Sequence, residues 1–79
     1  MTRTEILEQV QEVFRDVFDN EELVISESSS ANDIDEWDSL TNIQLIVGIE
    51  HQFNIKFDSE ELSSWGNVGE MISSIEEKL

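Results

Sequence analysis

Apolar residues recur along this chain at helical spacing, interrupted once by a long polar stretch. Ile6, Leu7, Val10, Val13, Phe14, Val17 and Phe18 form one stripe, with Glu5, Glu8, Gln9, Glu12 and Asp16 mostly outside it. That spacing predicts an amphipathic helix of about four turns, with Thr4 or Thr2 as its N-cap. From Asp19 to Trp37 the period dissolves, and Ser26 to Asp33 is rich in residues that favour turns and caps. A loop of this length in a small domain is often functional. Leu23, Val24, Ile25, Ile34 and Trp37 punctuate it and are expected to pin it to the core.

A second helix is predicted to open at Asp38-Ser39, with Leu40, Ile43, Leu45, Ile46, Val47, Ile49 and Phe53 following. This arc is much wider than the first. Either the helix is the most buried of a bundle, or its surplus apolar edge meets a partner. Thr41, Gln44, Gly48 and His51 make its polar strip. A glycine inside a helix costs about 1 kcal/mol relative to alanine, so Gly48 suggests close approach by a neighbouring helix or a partner. Asp58 to Leu62 predicts a short third helix, with Trp65 as a core anchor and Gly66 as a stop. Asn67-Val68-Gly69-Glu70 resembles a capping box, and Val68, Met71, Ile72, Ile75 and Leu79 continue as a last helical stripe. The expected architecture is all-α: three main helices and one short one, in a single domain over residues 1–79.

Charge narrows the choice of partners. There are 19 acidic residues against 4 basic ones, for a formal net charge of −15. Between Asp16 and Ile55 there are ten Asp and Glu and no Lys or Arg. Such a surface repels nucleic-acid phosphates and anionic membranes, so neither is expected as a partner. It either draws in proteins with basic patches or serves solubility alone. No apolar run approaches the roughly 18 residues of a membrane span. The N-terminal residues lack the apolar core of a signal peptide, so a cytoplasmic, monomeric protein is expected. Without cysteine, neither a disulfide nor a thiolate metal site can form.

Catalytic chemistry is not expected. The single histidine, His51, lies on the polar strip and reads as a surface residue, and no Gly-x-Ser-x-Gly elbow accompanies it. Asp33, Asp35, Glu36 and Asp38 resemble the start of a calcium loop. Its sixth and twelfth positions, however, hold Asp38 and Gln44 instead of Gly and Glu. No dedicated metal site follows. Ser39 stands apart, because it follows the long loop and opens the widest apolar helix. A helix start favours an attached phosphate, although Asp-Ser there is also ordinary capping chemistry.

In context, Glu36-Trp37-Asp38-Ser39-Leu40 together with the helix through Glu50-His51-Gln52-Phe53-Asn54-Ile55 resembles the acyl carrier proteins. That wider family includes the carrier domains of polyketide and peptide synthesis. The resemblance covers nearly the whole chain. It implies that a phosphopantetheinyl transferase attaches 4'-phosphopantetheine from coenzyme A to Ser39. The thiol of that arm would hold an acyl or aminoacyl group as a thioester and present it to loading and transferring enzymes. It further implies that Asp38 and Leu40 frame the arm and that Thr41, Ile43, Gln44 and Val47 meet those enzymes. Ile46, Ile49, Phe53 and the last helix would line any space that shelters the cargo.

Two departures bear on the pathway. Trp37 replaces the small residue common before Asp-Ser-Leu, and Thr41, Gln44 and His51 stand where acids are usual, leaving Glu50. Both favour a specialised route (polyketide, modified peptide or glycan) over fatty-acid synthesis. An unmodified acidic helical adaptor is the remaining alternative.

Overall fold

Each helix is closed at its start by a side chain that the sequence placed there. The computed structural model describes residues 1–34 and 36–79, with α1 at Arg3–Phe18, α2 at Ser39–Phe53, α3 at Ser59–Ser64 and α4 at Val68–Lys78. Among the described residues there is no strand, as expected of an all-α chain.

Thr2, rather than Thr4, caps α1: its hydroxyl accepts the Glu5 N–H, and the Glu5 carboxylate accepts the Thr2 N–H at 2.9 Å. Asp38 and Asp58 make the same reciprocal boxes for α2 and α3. At α4, Asn67 accepts the Glu70 N–H at 2.9 Å, but the Glu70 carboxylate turns to the Gly66 N–H instead of completing the box. Asp19 and Asn54 end α1 and α2 in the left-handed conformation, which short polar residues tolerate best.

The core is one cluster built from α1, α2, α4 and the loop. Ile6, Val10, Phe14, Leu45, Ile49, Val68, Ile72 and Ile75 are fully enclosed in it. α2 buries only Leu45, Ile49 and Phe53. Its surplus apolar edge is exposed: Leu40 at 66%, Ile43 at 60% and Val47 at 59%. Of the two readings of the wide arc, that of a helix buried all round does not hold. Gly48 belongs to the α1 interface and not to a solvent-facing strip, since a Cβ there would lie 2.8 Å from Val13 Cγ1.

The α1–α2 loop is sewn onto the helices at both ends. Ile25 and Ile34 are buried, and Leu23 and Trp37 pack half-buried against the core. Val24 does not anchor the loop as expected. It is 75% exposed, because successive residues of a non-helical chain point to opposite sides and its neighbour Ile25 takes the inward position. The Ile25 N–H donates to Gln11 Oε1 at 3.0 Å, and Arg15 Nε donates to the Leu23 carbonyl at 2.8 Å. At its middle the loop meets α4. The Val68 and Gly69 N–H groups donate to the Ser29 and Glu27 carbonyls at 2.8 and 2.7 Å, satisfying donors that a helix start leaves open. Arg3 ties the three elements together, donating to Glu27, Glu76, the Ser73 hydroxyl and the Gly69 carbonyl. Leu79 leaves the predicted stripe. As the terminal cap its N–H closes on Ile75 and Glu76, and its side chain is exposed.

Candidate functional site

The turn into α2 is fixed by three consecutive features of the sequence. Asp38, in extended conformation, accepts the Thr41 N–H at 2.9 Å. The Thr41 hydroxyl accepts the Asp38 N–H at 2.8 Å and directs its proton to the Glu36 carbonyl at 3.0 Å. Trp37 Nε1 donates to Asn42 Oδ1 at 3.0 Å, and its ring meets Phe14 edge-on at 5.2 Å between centroids. Ser39 is then the first helical residue, exposed to solvent between a rigid cap and an anchored indole.

The N–H of Thr41 holds the Asp38 carboxyl below the ordinary aspartate range, so it is ionised at neutral pH beside the Ser39 hydroxyl. Leu40, Ile43, Gln44 and Val47 are exposed on the outer face of α2, and His51 lies exposed further along the helix. Thr41 is half-buried and its hydroxyl is committed to the cap. Glu50, the acid that remained on this helix, is half-buried and its carboxylate accepts the Phe57 N–H at 2.8 Å. Within α2 itself, the exposed outer face therefore carries no acid, and the carboxylate beside Ser39 is that of the cap, Asp38.

A groove of about 410 Å³ opens beside Ser39, walled by Trp37 and Asn42 on one side and by Leu62, Trp65, Asn67 and Met71 on the other. It is separate from the space along Ile46, Ile49 and Phe53 that the resemblance implied for cargo. Ile49 and Phe53 are core residues packed away from solvent, and the groove runs instead from the first turn of α2 to the α3–α4 connection. Of the expected walls only the last helix contributes, through Met71.

α3 contributes no buried residue, so its neighbours must hold this wall. Lys78 reaches Glu61 at 2.7 Å, which raises the Lys78 pKa, and sits 5.8 Å from the centre of the Phe57 ring. Phe57 and Trp65 pack edge-on at 4.8 Å, and Trp65 Nε1 donates to the Ser74 hydroxyl at 2.9 Å. Trp65 thus anchors the end of α3 as expected, half-buried against the core. Asn42 was not singled out in the sequence, and Asn67 was read there only as a helix cap. Their place in the groove depends on where the α3–α4 connection lies relative to the start of α2, which no local pattern encodes.

Asp35, one of the four carboxylates weighed as a calcium loop, lies outside the described residues. Among the described residues no cluster of three or more His, Cys, Asp or Glu could hold a metal ion, and no helix is long and apolar enough to cross a membrane.

Known proteins are similar to this chain in both fold and sequence. The family described as "Phosphopantetheine attachment site" matches residues 8–75. An acyl carrier protein from Thermosynechococcus vestitus is 31% identical over 80 residues, covering all of this chain and 98% of that one. One from Cyanidium caldarium is 32% identical, covering all of this chain and 92% of its own. The solution NMR structure of a holo acyl carrier protein from Geobacter metallireducens superimposes with a TM-score of 0.86. It is 41% identical and covers 92% of this chain and 84% of that one. An exposed serine opening the second of four helices, in a chain matched across nearly its full length, leads to one assignment: this chain belongs to the acyl carrier protein family, whose members are carriers with covalently attached phosphopantetheine and not enzymes.

Proposed function

We propose that Ser39 is the point of attachment and that the chain, as one carrier domain, presents a thioester-bound acyl or aminoacyl group to partner enzymes. The observation that carries this reading is the exposed Ser39 hydroxyl at the first position of α2, at the rim of the groove. In the attachment step a transferase brings coenzyme A to this hydroxyl. The Ser39 oxygen forms a bond to the phosphorus next to the pantetheine, the pyrophosphate bond breaks, and the nucleotide leaves. The start of a helix suits the resulting phosphodiester, because its N–H groups and dipole favour negative charge. Once bound, the arm supplies the thiol that this cysteine-free chain lacks. The protein holds the attachment turn rigid through Asp38 and Thr41 and offers Leu40, Ile43, Gln44 and Val47 as the contact face.

A specialised pathway is favoured over fatty-acid synthesis by one feature: the outer face of α2, with Leu40, Ile43 and Val47 exposed, lacks acids, Glu50 being occupied with Phe57. Family membership removes the support for an unmodified adaptor. We take the carrier to be a monomer of the cytoplasm, and sedimentation checks the oligomeric state.

The test is intact mass after incubation with coenzyme A and a broad-specificity phosphopantetheinyl transferase, with Ser39→Ala alongside. One phosphopantetheine on the parent and none on the variant is the expected result. Addition to both would move the attachment point elsewhere. Competing fatty-acid loading enzymes against amino-acid-activating ones on the modified chain then tests the pathway, and preferential fatty-acid loading would overturn the specialised reading.

A further inference from the structure

Ser39 is the first residue of α2, and terminal turns are where helices fray. The exposed Ile43 and Val47 lie further along the helix. A serine has a single side-chain dihedral, so its oxygen is placed by the backbone that carries it. The order of the first turn therefore decides where the Ser39 oxygen stands relative to the rest of α2.

Two rungs cross over Ser39. The inner rung is the cap, in which the Asp38 N–H donates to Thr41 Oγ1 at 2.8 Å and the Thr41 N–H to Asp38 Oδ1 at 2.9 Å. That rung is local and ties the turn only to itself. The outer rung joins residues 37 and 42, with Trp37 Nε1 donating to Asn42 Oδ1 at 3.0 Å. Trp37 is held on two further sides. Its backbone N–H donates to the Ile34 carbonyl at 3.1 Å, and its ring meets Phe14 of α1 edge-on at 5.2 Å. Ile34 and Phe14 are both buried. Asn42 also closes the first turn, its N–H donating to the Asp38 carbonyl at 2.8 Å. Its side chain thus links that turn, through the indole, to the core. An indole N–H is a donor only, so the carboxamide oxygen must face it. Both partners are half-buried, where a broken bond leaves a desolvated donor behind.

We infer that Asn42 is a positioning residue for phosphopantetheine transfer. Through Trp37 it holds the first turn of α2 closed, so that the Ser39 oxygen meets the incoming phosphorus in one place as the nucleotide leaves. This rests on attachment at Ser39. Asn42 acts through the indole and not on coenzyme A. Its loss leaves the edge of Ile43 and Val47 in place, so transfer slows while docking is kept. Misplacing a reacting group by ~1 Å can cost ~100-fold in rate, and a turn that frays part of the time should lose about tenfold.

The experiment measures kcat and KM for transfer from coenzyme A by a broad-specificity transferase, with the product read by intact mass. Asn42→Leu keeps the volume but removes the acceptor. It should lower kcat about tenfold while KM for the carrier stays within about twofold of the parent's. Asn42→Asp restores an acceptor oxygen and should recover kcat. Trp37→Phe keeps a ring against Phe14 and removes the donor. It should match Asn42→Leu, and the double variant should be no slower than either single one. In NMR spectra of the unmodified chain, Asn42→Leu should shift the Trp37 indole N–H signal and leave that of Trp65 in place. Ile75→Val, a core substitution in α4, lowers stability and should leave kcat unchanged. A rise in KM alone would make Asn42 a docking contact and overturn the inference. So would an unchanged kcat in both Asn42→Leu and Trp37→Phe, or a loss of kcat in Ile75→Val equal to theirs. Absence of added mass on the parent would remove the attachment reading itself, a failure distinct from these.

Discussion

Gly48 of α2 faces Val13 of α1 so closely that the first atom of any side chain would lie 2.8 Å from Val13 Cγ1. The glycine is where the two longest helices make their close approach. Gly48→Ala gains about 1 kcal/mol in helix propensity but overfills a packed contact, at about 1–3 kcal/mol. The variant should be about 1 kcal/mol less stable than the parent by urea denaturation. In a Val13→Ala background the clash disappears, and the same substitution should become stabilising by about 1 kcal/mol. An unchanged sign in both backgrounds would show that Val13 does not set the requirement.

Gly69 and Gly66 lie three residues apart and should respond differently to alanine. A Cβ at Gly69 would come within 2.9 Å of the Glu27 carbonyl oxygen, a backbone atom tied to Gly69 by its own hydrogen bond. Gly69→Ala should cost about 2 kcal/mol by forcing the loop away from α4. At Gly66 the nearest atom is the tip of the Glu70 side chain at 3.5 Å, and alanine should change stability by less than ~0.5 kcal/mol. Equal thermal shifts for the two would argue against the loop–helix contact.

The Asp38 cap carries a pH signature. Its pKa is lowered in the folded chain, chiefly by the Thr41 N–H, so between the folded and unfolded values the unfolded chain binds more protons. The stabilisation is fully present above the ordinary aspartate value of 3.8 and is lost as pH falls through the lower folded value. Asn caps about as well as Asp and does not titrate. The urea midpoint of the parent should therefore decline relative to that of Asp38→Asn as pH drops below about 4. A constant difference across that window would mean that the Asp38 carboxylate is not held by the cap.

The exposed edge of α2 separates folding from recognition. Ile43→Gln and Val47→Gln replace side chains about 60% exposed, and each should alter stability by less than ~0.5 kcal/mol. If this edge meets the transferase, transfer of phosphopantetheine to Ser39 should slow about tenfold, equivalent to ~1.4 kcal/mol of lost contact. Unchanged rates in both variants would place the docking surface elsewhere.

Local sequence carried the elements that local physics controls. The cap residues Asp38, Asp58 and Asn67 and the apolar stripe of α1 each act through neighbours within a turn or two, so their spacing revealed them. The excess of apolar residues on α2 likewise showed more apolar surface than one core-facing stripe needs. The pattern could not say which of those residues face the core. Leu45 and Ile49 go inward while Ile43 and Val47 stay outside, and only the position of α1 decides that. Val24 misled because three consecutive apolar residues, Leu23 to Ile25, do not show which of them the alternation turns outward.

Ser39 and its flanking Asp and Leu were legible because the turn into α2 is a short, contiguous object. The groove beside it joins residues 37–42 to residues 62–71, and no local spacing relates those segments. The sequence by itself determined the helices, their caps and the serine that opens α2. Tertiary packing alone decided what lies next to that serine: Lys78 and Ser74 hold the end of α3 in place, and the start of α4 brings Asn67 and Met71 into the wall. The reason is physical: caps and stripes are stabilised within one element, whereas a groove exists only where several elements fail to close on one another.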